Sequence, residues 1–158
     1  MRPSILVLSV VAILFSGCHR DSSDASIVPL SFYLVSDEKI DGGRFIDAPD
    51  FPKLGYIAAS PDLVITRLET VSLETSIPYS RERPAISIVM HSEDAQQFTA
   101  LTERAAGKTL LVMLGDTPLT APKVMERIPT ASMMLVFGTK VDSKQIKNVT
   151  DCLKKLVQ

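Results

Sequence analysis

The sequence predicts a two-layer α+β domain, with two main helices packed on one face of a mostly antiparallel sheet. Short apolar runs rich in branched and aromatic residues recur along the chain and are typical of strands. Two later segments, beginning at Ser92 and Asp142, repeat their apolar residues at helical spacing instead, which indicates helices with one buried stripe. The length of 158 residues favours one domain.

The strand pattern occurs in several segments, two of which are informative in detail. Within residues 85–91, Ile86, Ile88 and Met90 share a face because side chains alternate along a strand. Residues 109–114 are apolar at nearly every position, so we expect a central strand there. The full set of predicted strands is 29–35, 63–65, 71–75, 85–91, 109–114 and 133–137, with turns at 67–69, at 80–83 and at Gly115-Asp116.

Residues 36–56 contain Gly42-Gly43 and two prolines, and we predict an irregular, exposed acidic loop for them. A calcium loop is the alternative, since hard cations need clustered oxygen ligands, but the spacing of the acids matches no such loop. The acids are Asp37, Glu38, Asp41, Asp47 and Asp50.

The first predicted helix starts at Ser92, where Glu93 and Asp94 favour the positive end of a helix dipole, and Gly107 caps its end. Its inward stripe comprises Ala95, Phe98, Leu101, Thr102 and Ala105.

Two further helices are predicted. Residues 120–127 form a short one with Pro122 in its first turn. The last begins at Asp142, with Gln145 completing a capping box. Its stripe comprises Ile146, Val149, Cys152, Leu153 and Leu156. We expect the core to centre on Phe98, Leu101, Leu111, Val112, Leu135 and Phe137.

The chain begins with a segment similar to a bacterial lipoprotein signal. Arg2 precedes an apolar run over 5–15, and the small residues Ser16 and Gly17 precede Cys18. The run is too short to span a bilayer, which takes about 20 residues. The resemblance implies cleavage before Cys18 and attachment of acyl chains, including palmitate, to this residue. An ordinary signal peptide followed by a chance cysteine, or an uncleaved anchor, is the alternative.

The chain therefore divides into a signal peptide over 1–17, a lipidated Cys18 with a flexible polar tether over 18–27, and one α+β domain over 28–158. We expect a lipid-anchored protein that faces the periplasm. An Asp directly after the lipidated cysteine favours the inner membrane in enteric-type sorting. His19 occupies that position and slightly favours the outer membrane.

Several motifs after Pro61 carry a resemblance to a known family. They are Pro61-Asp62-Leu63-Val64-Ile65-Thr66, Phe98-Thr99-Ala100-Leu101-Thr102, Gly107-Lys108 followed by Leu110 to Leu114, and Ala121-Pro122-Lys123-Val124. In this order they resemble the head subdomain of the first periplasmic domain of SecD/SecDF, the membrane partner of the Sec translocon. Coverage runs from about Pro61 to Val157. The resemblance implies a fold and a surface that meets extended polypeptide.

The sequence also departs from that family. Gly115-Asp116 replaces an Asp-Gly turn, and residues 128–132 replace a glycine-rich stretch. The family's base subdomain and transmembrane helices have no counterpart in the sequence. We therefore do not expect the chain to couple a proton gradient to export.

Composition and motifs argue against several functional classes. With 17 basic and 18 acidic side chains, the chain lacks the basic excess of a nucleic-acid binder. We find no nucleophile elbow, phosphate-binding glycine loop or zinc-type Cys/His spacing, and predict no metal or cofactor. His91 near Glu93 and Asp94 is an alternative metal or acid–base site, although a surface histidine beside a helix start also explains it. Cys152 is interpreted as a buried structural thiol.

These observations predict a non-catalytic, membrane-anchored envelope lipoprotein that binds polypeptide or another envelope protein. The alternative is an envelope hydrolase or other enzyme with an unrecognised site. A deep pocket with convergent polar groups would favour the enzyme. A shallow groove or an apolar patch beside an unpaired strand would favour binding.

Overall fold

A computed structural model describes residues 27–74, 84–137 and 141–158. The predicted signal peptide, Cys18, most of the tether and the turn at 80–83 lie outside the described residues. Within them the elements are β1 (Leu30–Leu34), β2 (Arg44–Ala48), β3 (Phe51–Ile57), β4 (Leu63–Ile65), β5 (Thr70–Glu74), β6 (Ala85–Val89), α1 (Ser92–Arg104), β7 (Leu110–Leu114), β8 (Thr117–Thr120), β9 (Ser132–Val136) and α2 (Ser143–Lys154). No helix in these ranges is long and apolar enough to cross a membrane.

The α+β class is confirmed, since antiparallel strands predominate and the helices are α1 and α2. Hydrogen bonding divides the described strands into three sheets, where we expected one. Their orders are β4-β1-β7-β8, β2-β3 and β5-β6-β9. All the pairings between these strands are antiparallel.

Strand β7 is the central strand that its apolar sequence predicts. It pairs along its whole length with β1, from Leu30 opposite Leu114 to Leu34 opposite Leu110, and it pairs with β8 on its other side. Every side chain of β7 is buried. Leu110 and Val112 belong to the main core, whereas Leu111 packs in a second cluster on the opposite face of the sheet. Leu111 is therefore buried as predicted, but it does not belong to the main core.

Helix α1 covers the main core with its predicted stripe. Phe98, Leu101 and Thr102 are buried, and the ring of Phe98 packs against Phe32 of β1. The helix begins at Ser92 as expected, but the capping position is His91, whose side chain makes no capping hydrogen bond. Gly107 lies in the turn after the helix with a φ of +80°, in the left-handed region that glycine enters without steric cost.

Helix α2 begins with the predicted capping box. The Gln145 amide donates to Asp142 Oδ1 at 2.7 Å, and the Asp142 amide donates to Gln145 Oε1 at 3.1 Å. These bonds satisfy backbone donors that the first turn of a helix leaves without partners. The inward stripe buries Ile146 and Leu153, and Cys152 is also buried.

Residues 36–56 do not form the exposed loop that we predicted. They contain β2 and the start of β3, a hairpin whose Ile46 and Ile57 pack on the second face of the four-stranded sheet. At Gly55 the backbone has a φ of +132°, and a Cβ there would lie 2.7 Å from the carbonyl oxygen of Ser36. The glycine therefore permits close main-chain contact and does not mark a loop.

The predicted short helix over 120–127 is also wrong. This segment continues β8 as extended chain beside the start of β7. The Leu110 amide donates to the Pro122 carbonyl at 2.9 Å, and the Val124 amide donates to the Lys108 carbonyl at 2.9 Å. Pro122 fits this conformation because its carbonyl accepts a ladder bond while the ring leaves no N–H to satisfy.

Candidate functional site

Strand β9 is an edge strand with a regular ladder on one side. Among the described strands it pairs only with β6. The Phe137 amide donates to the Pro84 carbonyl at 3.3 Å, and the Met90 amide donates to the Ala131 carbonyl at 2.9 Å. Backbone groups in an antiparallel ladder point alternately towards and away from the partner strand. The odd-numbered residues of β9 therefore bond to β6, and the even-numbered ones point outwards.

The outward positions include Met134 and Val136, which present their N–H and C=O groups along the free edge. Their side chains alternate with Leu135, which is fully buried in the main core. Met134 is 46% exposed and Val136 is 37% exposed. Within residues 27–74, 84–137 and 141–158 these outward main-chain groups make no hydrogen bond, although β8 lies close to β9, and the same positions carry apolar surface.

A groove of about 480 Å³ runs beside this edge. Strand β9 forms one wall. The other wall is the segment 120–128, which we call the outer wall, and core residues including Phe98 and Val112, which are almost completely buried, lie beneath it. The lining is Phe98, Leu110, Val112, Thr120, Pro122, Lys123, Val124, Met125, Glu126, Ile128, Ser132, Met133, Met134, Leu135 and Val136.

Methionines line the groove on both walls. Met125 on the outer wall is 78% exposed. On β9, Met133 is partly buried against the main core, and Met134, the next residue, points to the other face of the strand. Methionine side chains are flexible and polarizable, and they adapt to apolar partners of different shape. The arrangement suits the binding of varied apolar side chains.

The charged groups of the groove lie at its rim. Lys123 and Glu126 are both exposed and carry opposite charges, and the remaining polar side chains are those of Thr120 and Ser132. The lining therefore favours neither an anionic nor a cationic ligand. These groups do not form the nucleophile, base and orienting partner that acid–base or nucleophilic chemistry requires.

The residues singled out for chemistry are not brought together. His91 Nδ1 lies 3.8 Å from Glu69 Oε1, and both side chains are partly exposed. Asp47 accepts a hydrogen bond from the Lys53 amide at 3.1 Å within the β2–β3 hairpin. In the described ranges no group of three or more His, Cys, Asp or Glu side chains is suited to holding a metal ion. Cys18 lies outside those ranges.

A second depression, of about 330 Å³, lies on the opposite, exposed side of α1. Gln96, Thr99, Ala100, Glu103, Arg127 and Pro129 line it. It is smaller than the groove and borders no strand edge.

Only a weak signal in the sequence points to the groove. The sequence places Met125 close to Met133 and Met134. A helix over 120–127, as predicted, would not have formed the extended wall that carries Met125. The free edge of β9 depends on which strands pair, and local sequence does not determine this.

Comparison with known proteins shows that this fold is similar to part of SecDF. The chain is similar to a crystal structure of SecDF in its super-membrane-facing form, with a TM-score of 0.60 and 18% identity. It is also similar to SecDF described as a membrane component that enhances protein export, with a TM-score of 0.58 and 16% identity. Each likeness covers 80% of this chain, but only 18% and 62% of the respective SecDF chains.

These likenesses confirm the predicted resemblance to the SecD periplasmic domain at the level of the fold. They cover a larger share of the chain than the motifs between Pro61 and Val157 do. No protein-family model and no curated protein sequence matches the chain.

Proposed function

We propose that this chain is a non-catalytic, lipid-anchored envelope protein that binds extended polypeptide in the groove beside β9. The observation that carries the proposal is the free edge of β9 next to an apolar groove with methionines on both walls. A strand edge and an apolar groove together match the two faces of an extended chain, its main-chain groups and its side chains.

Main-chain pairing would supply part of the affinity. A bound segment would donate to the carbonyl groups of Met134 and Val136 and accept from their amides, adding a fourth strand to the β5-β6-β9 sheet. Because this pairing reads no side chain, it tolerates many sequences. Side chains directed into the groove would contact Met125 and Met133, which adapt to different apolar shapes.

The fold likeness supports this proposal. One of the similar SecDF chains is described as enhancing protein export, and a protein with such a role meets polypeptides that have not yet folded. This chain spans only part of either SecDF chain. Of the properties of SecDF, we therefore propose only polypeptide binding for this chain.

The anchor completes the proposal. We propose cleavage of residues 1–17, acylation of Cys18 and a tether up to residue 27, with the domain over 28–158 facing the periplasm and the outer membrane favoured by His19. Nine peptide units from Cys18 to Ile27 span at most roughly 30 Å when extended. The groove would then stay close to the membrane surface, where exported chains emerge or insert.

The test is a titration of the full-length chain in lipid nanodiscs against one secreted protein in two forms. The unfolded form, kept unfolded by reduction and thiol blocking, should bind, and the native form should not. Equal binding to both forms, or no binding to either at roughly millimolar concentration, would contradict the proposal. Equal binding would indicate a folded envelope partner, the other partner class that the sequence suggests.

A further inference from the structure

We infer that Thr99 and Thr102 of α1 are positioning residues for the groove, because their hydroxyl groups hold the backbone of Ile128 and thereby fix the outer wall opposite β9. This inference rests on the proposed function and adds residues that do not themselves line the groove.

The contact consists of three hydrogen bonds. The Ile128 amide donates to Thr102 Oγ1 at 3.0 Å, and that hydroxyl donates to the Thr99 carbonyl at 3.0 Å. The Thr99 hydroxyl in turn donates to the Ile128 carbonyl at 3.1 Å. Both polar backbone groups of Ile128 are therefore satisfied by side chains of a helix 26 and 29 residues away in sequence.

This arrangement differs from the ordinary behaviour of threonine within a helix. There the hydroxyl commonly bonds back to a carbonyl three or four residues earlier, which satisfies only the side chain. Thr102 makes such a bond to Thr99 and also accepts from a distant amide. Thr102 is fully buried and Ile128 is partly buried, so the hydroxyl supplies an acceptor where the access of water is restricted.

Ile128 is the point at which the outer wall is attached at its far end. Four residues earlier the wall is attached at Val124, whose amide donates to the carbonyl of Lys108, just before β7. Between Val124 and Ile128 stand three exposed residues that make no hydrogen bond to other described residues; they are Met125, Glu126 and Arg127. The position of Met125 relative to β9 therefore depends on these two attachments.

We call the three hydrogen bonds among Thr99, Thr102 and Ile128 the clamp, and their chemistry predicts the effect of breaking them. Valine at position 102 keeps the shape of threonine but removes the acceptor, so the Ile128 amide would lose its partner in a partly buried site. The outer wall would then move until that amide finds water or another acceptor. Such a movement changes the width of the groove.

The experiment compares Thr102→Val with Thr102→Ser in the full-length chain in nanodiscs. Serine retains the hydroxyl and is the matched control. The probe is a fluorescent nine-residue peptide of alternating Val and Thr with a Lys at each end. Amide hydrogen exchange at Ile128 is measured on the same samples, with Leu111 of β7 as the internal reference.

We expect Thr102→Val to raise the exchange rate at Ile128 and the Kd for the probe by about tenfold each, near the upper end of the effect of losing one hydrogen bond. Exchange at Leu111 should not change, and Thr102→Ser should restore both values. If Thr102→Val does not fold, Thr99→Val with Thr99→Ser replaces the pair, since Thr99 is only partly buried and its loss removes one bond.

Two results would overturn the inference separately from the proposed function. Equal probe affinity of the valine and serine variants, with wild-type binding intact, would make the clamp a structural contact only. Unchanged exchange at Ile128 in the valine variant would show that the hydroxyl does not hold the wall. Failure of the wild-type chain to bind the probe would instead contradict the proposed function, and the positioning role with it.

Discussion

The rings of Phe32 and Phe98 lie with their centroids 5.5 Å apart and their planes tilted by 58°. Both side chains are almost completely buried. The contact joins β1, inside the four-stranded sheet, to the middle of α1, and so links the two layers of the fold. Tilted aromatic pairs of this kind add about 0.5–1.5 kcal/mol beyond the area they bury.

Phe98→Ala should lower the free energy of unfolding by about 3–5 kcal/mol, because it removes a buried ring and leaves a cavity beneath α1. Urea denaturation followed by circular dichroism measures the loss. Gln97→Ala, on the exposed side of the same helix, should change stability by no more than about 0.5 kcal/mol. A loss under about 1 kcal/mol for Phe98→Ala would mean that the ring is not packed as the structure has it.

Gly55→Ala should destabilise the protein by about 1–3 kcal/mol, since the backbone conformation is strained for alanine and the new Cβ would collide with the Ser36 carbonyl. Gly42→Ala is the matched comparison. Gly42 also has a positive φ, +68°, but a Cβ there would meet no atom within 4 Å. The free energy of unfolding of Gly42→Ala should fall by only about 1 kcal/mol. Thermal unfolding of both variants gives the comparison, and equal losses would contradict the close approach at Gly55.

Asp142→Ala should cost about 1 kcal/mol, because it removes the side-chain acceptor of the Gln145 amide and half of the capping box. Asp142→Asn keeps an acceptor oxygen and should lose much less. The denaturant midpoints of the two variants measure this difference in stability. Indistinguishable midpoints would show that the cap contributes little to the stability of α2.

Met134→Pro should weaken binding of the Val/Thr probe by roughly five- to tenfold, because it removes an outward N–H from the free edge of β9. The ladder with β6 should survive, since it uses the odd-numbered residues. Met134→Ala keeps the N–H and is the control for the lost side chain. If alanine weakens binding as much as proline does, the side chain, and not main-chain pairing, accounts for the affinity.

Cys18→Ser should abolish labelling by a fatty-acid probe and leave the precursor uncleaved by the lipoprotein signal peptidase. The leader and the small residues before Cys18 motivate this expectation. Gel mobility and click-labelled palmitate in the producing bacterium measure both effects, with Cys152→Ser as the control. Persistent labelling of the Cys18→Ser chain would place the lipid elsewhere.

The sequence predicts an element well where local pattern and final environment agree. Neighbouring residues determine three such features: the alternation of Ile86 and Ile88, the continuous apolar run of β7 and the Asp142–Gln145 capping box. Helix α1 and its buried stripe follow from spacing alone.

The errors have a common cause in long-range pairing. Ile46 and Ile57 stand among glycines, prolines and acids, and only their burial against Leu111 and Met113 makes β2 and β3 a packed hairpin. Residues 121–124 are extended because β7 binds them, although Pro122 after Thr120-Ala121 is typical of a helix start. The sequence does not predict the groove for the same reason, because this segment forms the outer wall of the groove.

Strand β1 lies between β4 and β7, antiparallel to both, and among the described residues it is the first strand after the predicted tether. A tension that reaches the domain through Ile27 along the axis of β1 therefore loads two hydrogen-bonded ladders in shear, so that their bonds must yield together and not one after another. A domain tied to a membrane by that end and gripping a moving chain in its groove would be built to bear mechanical force.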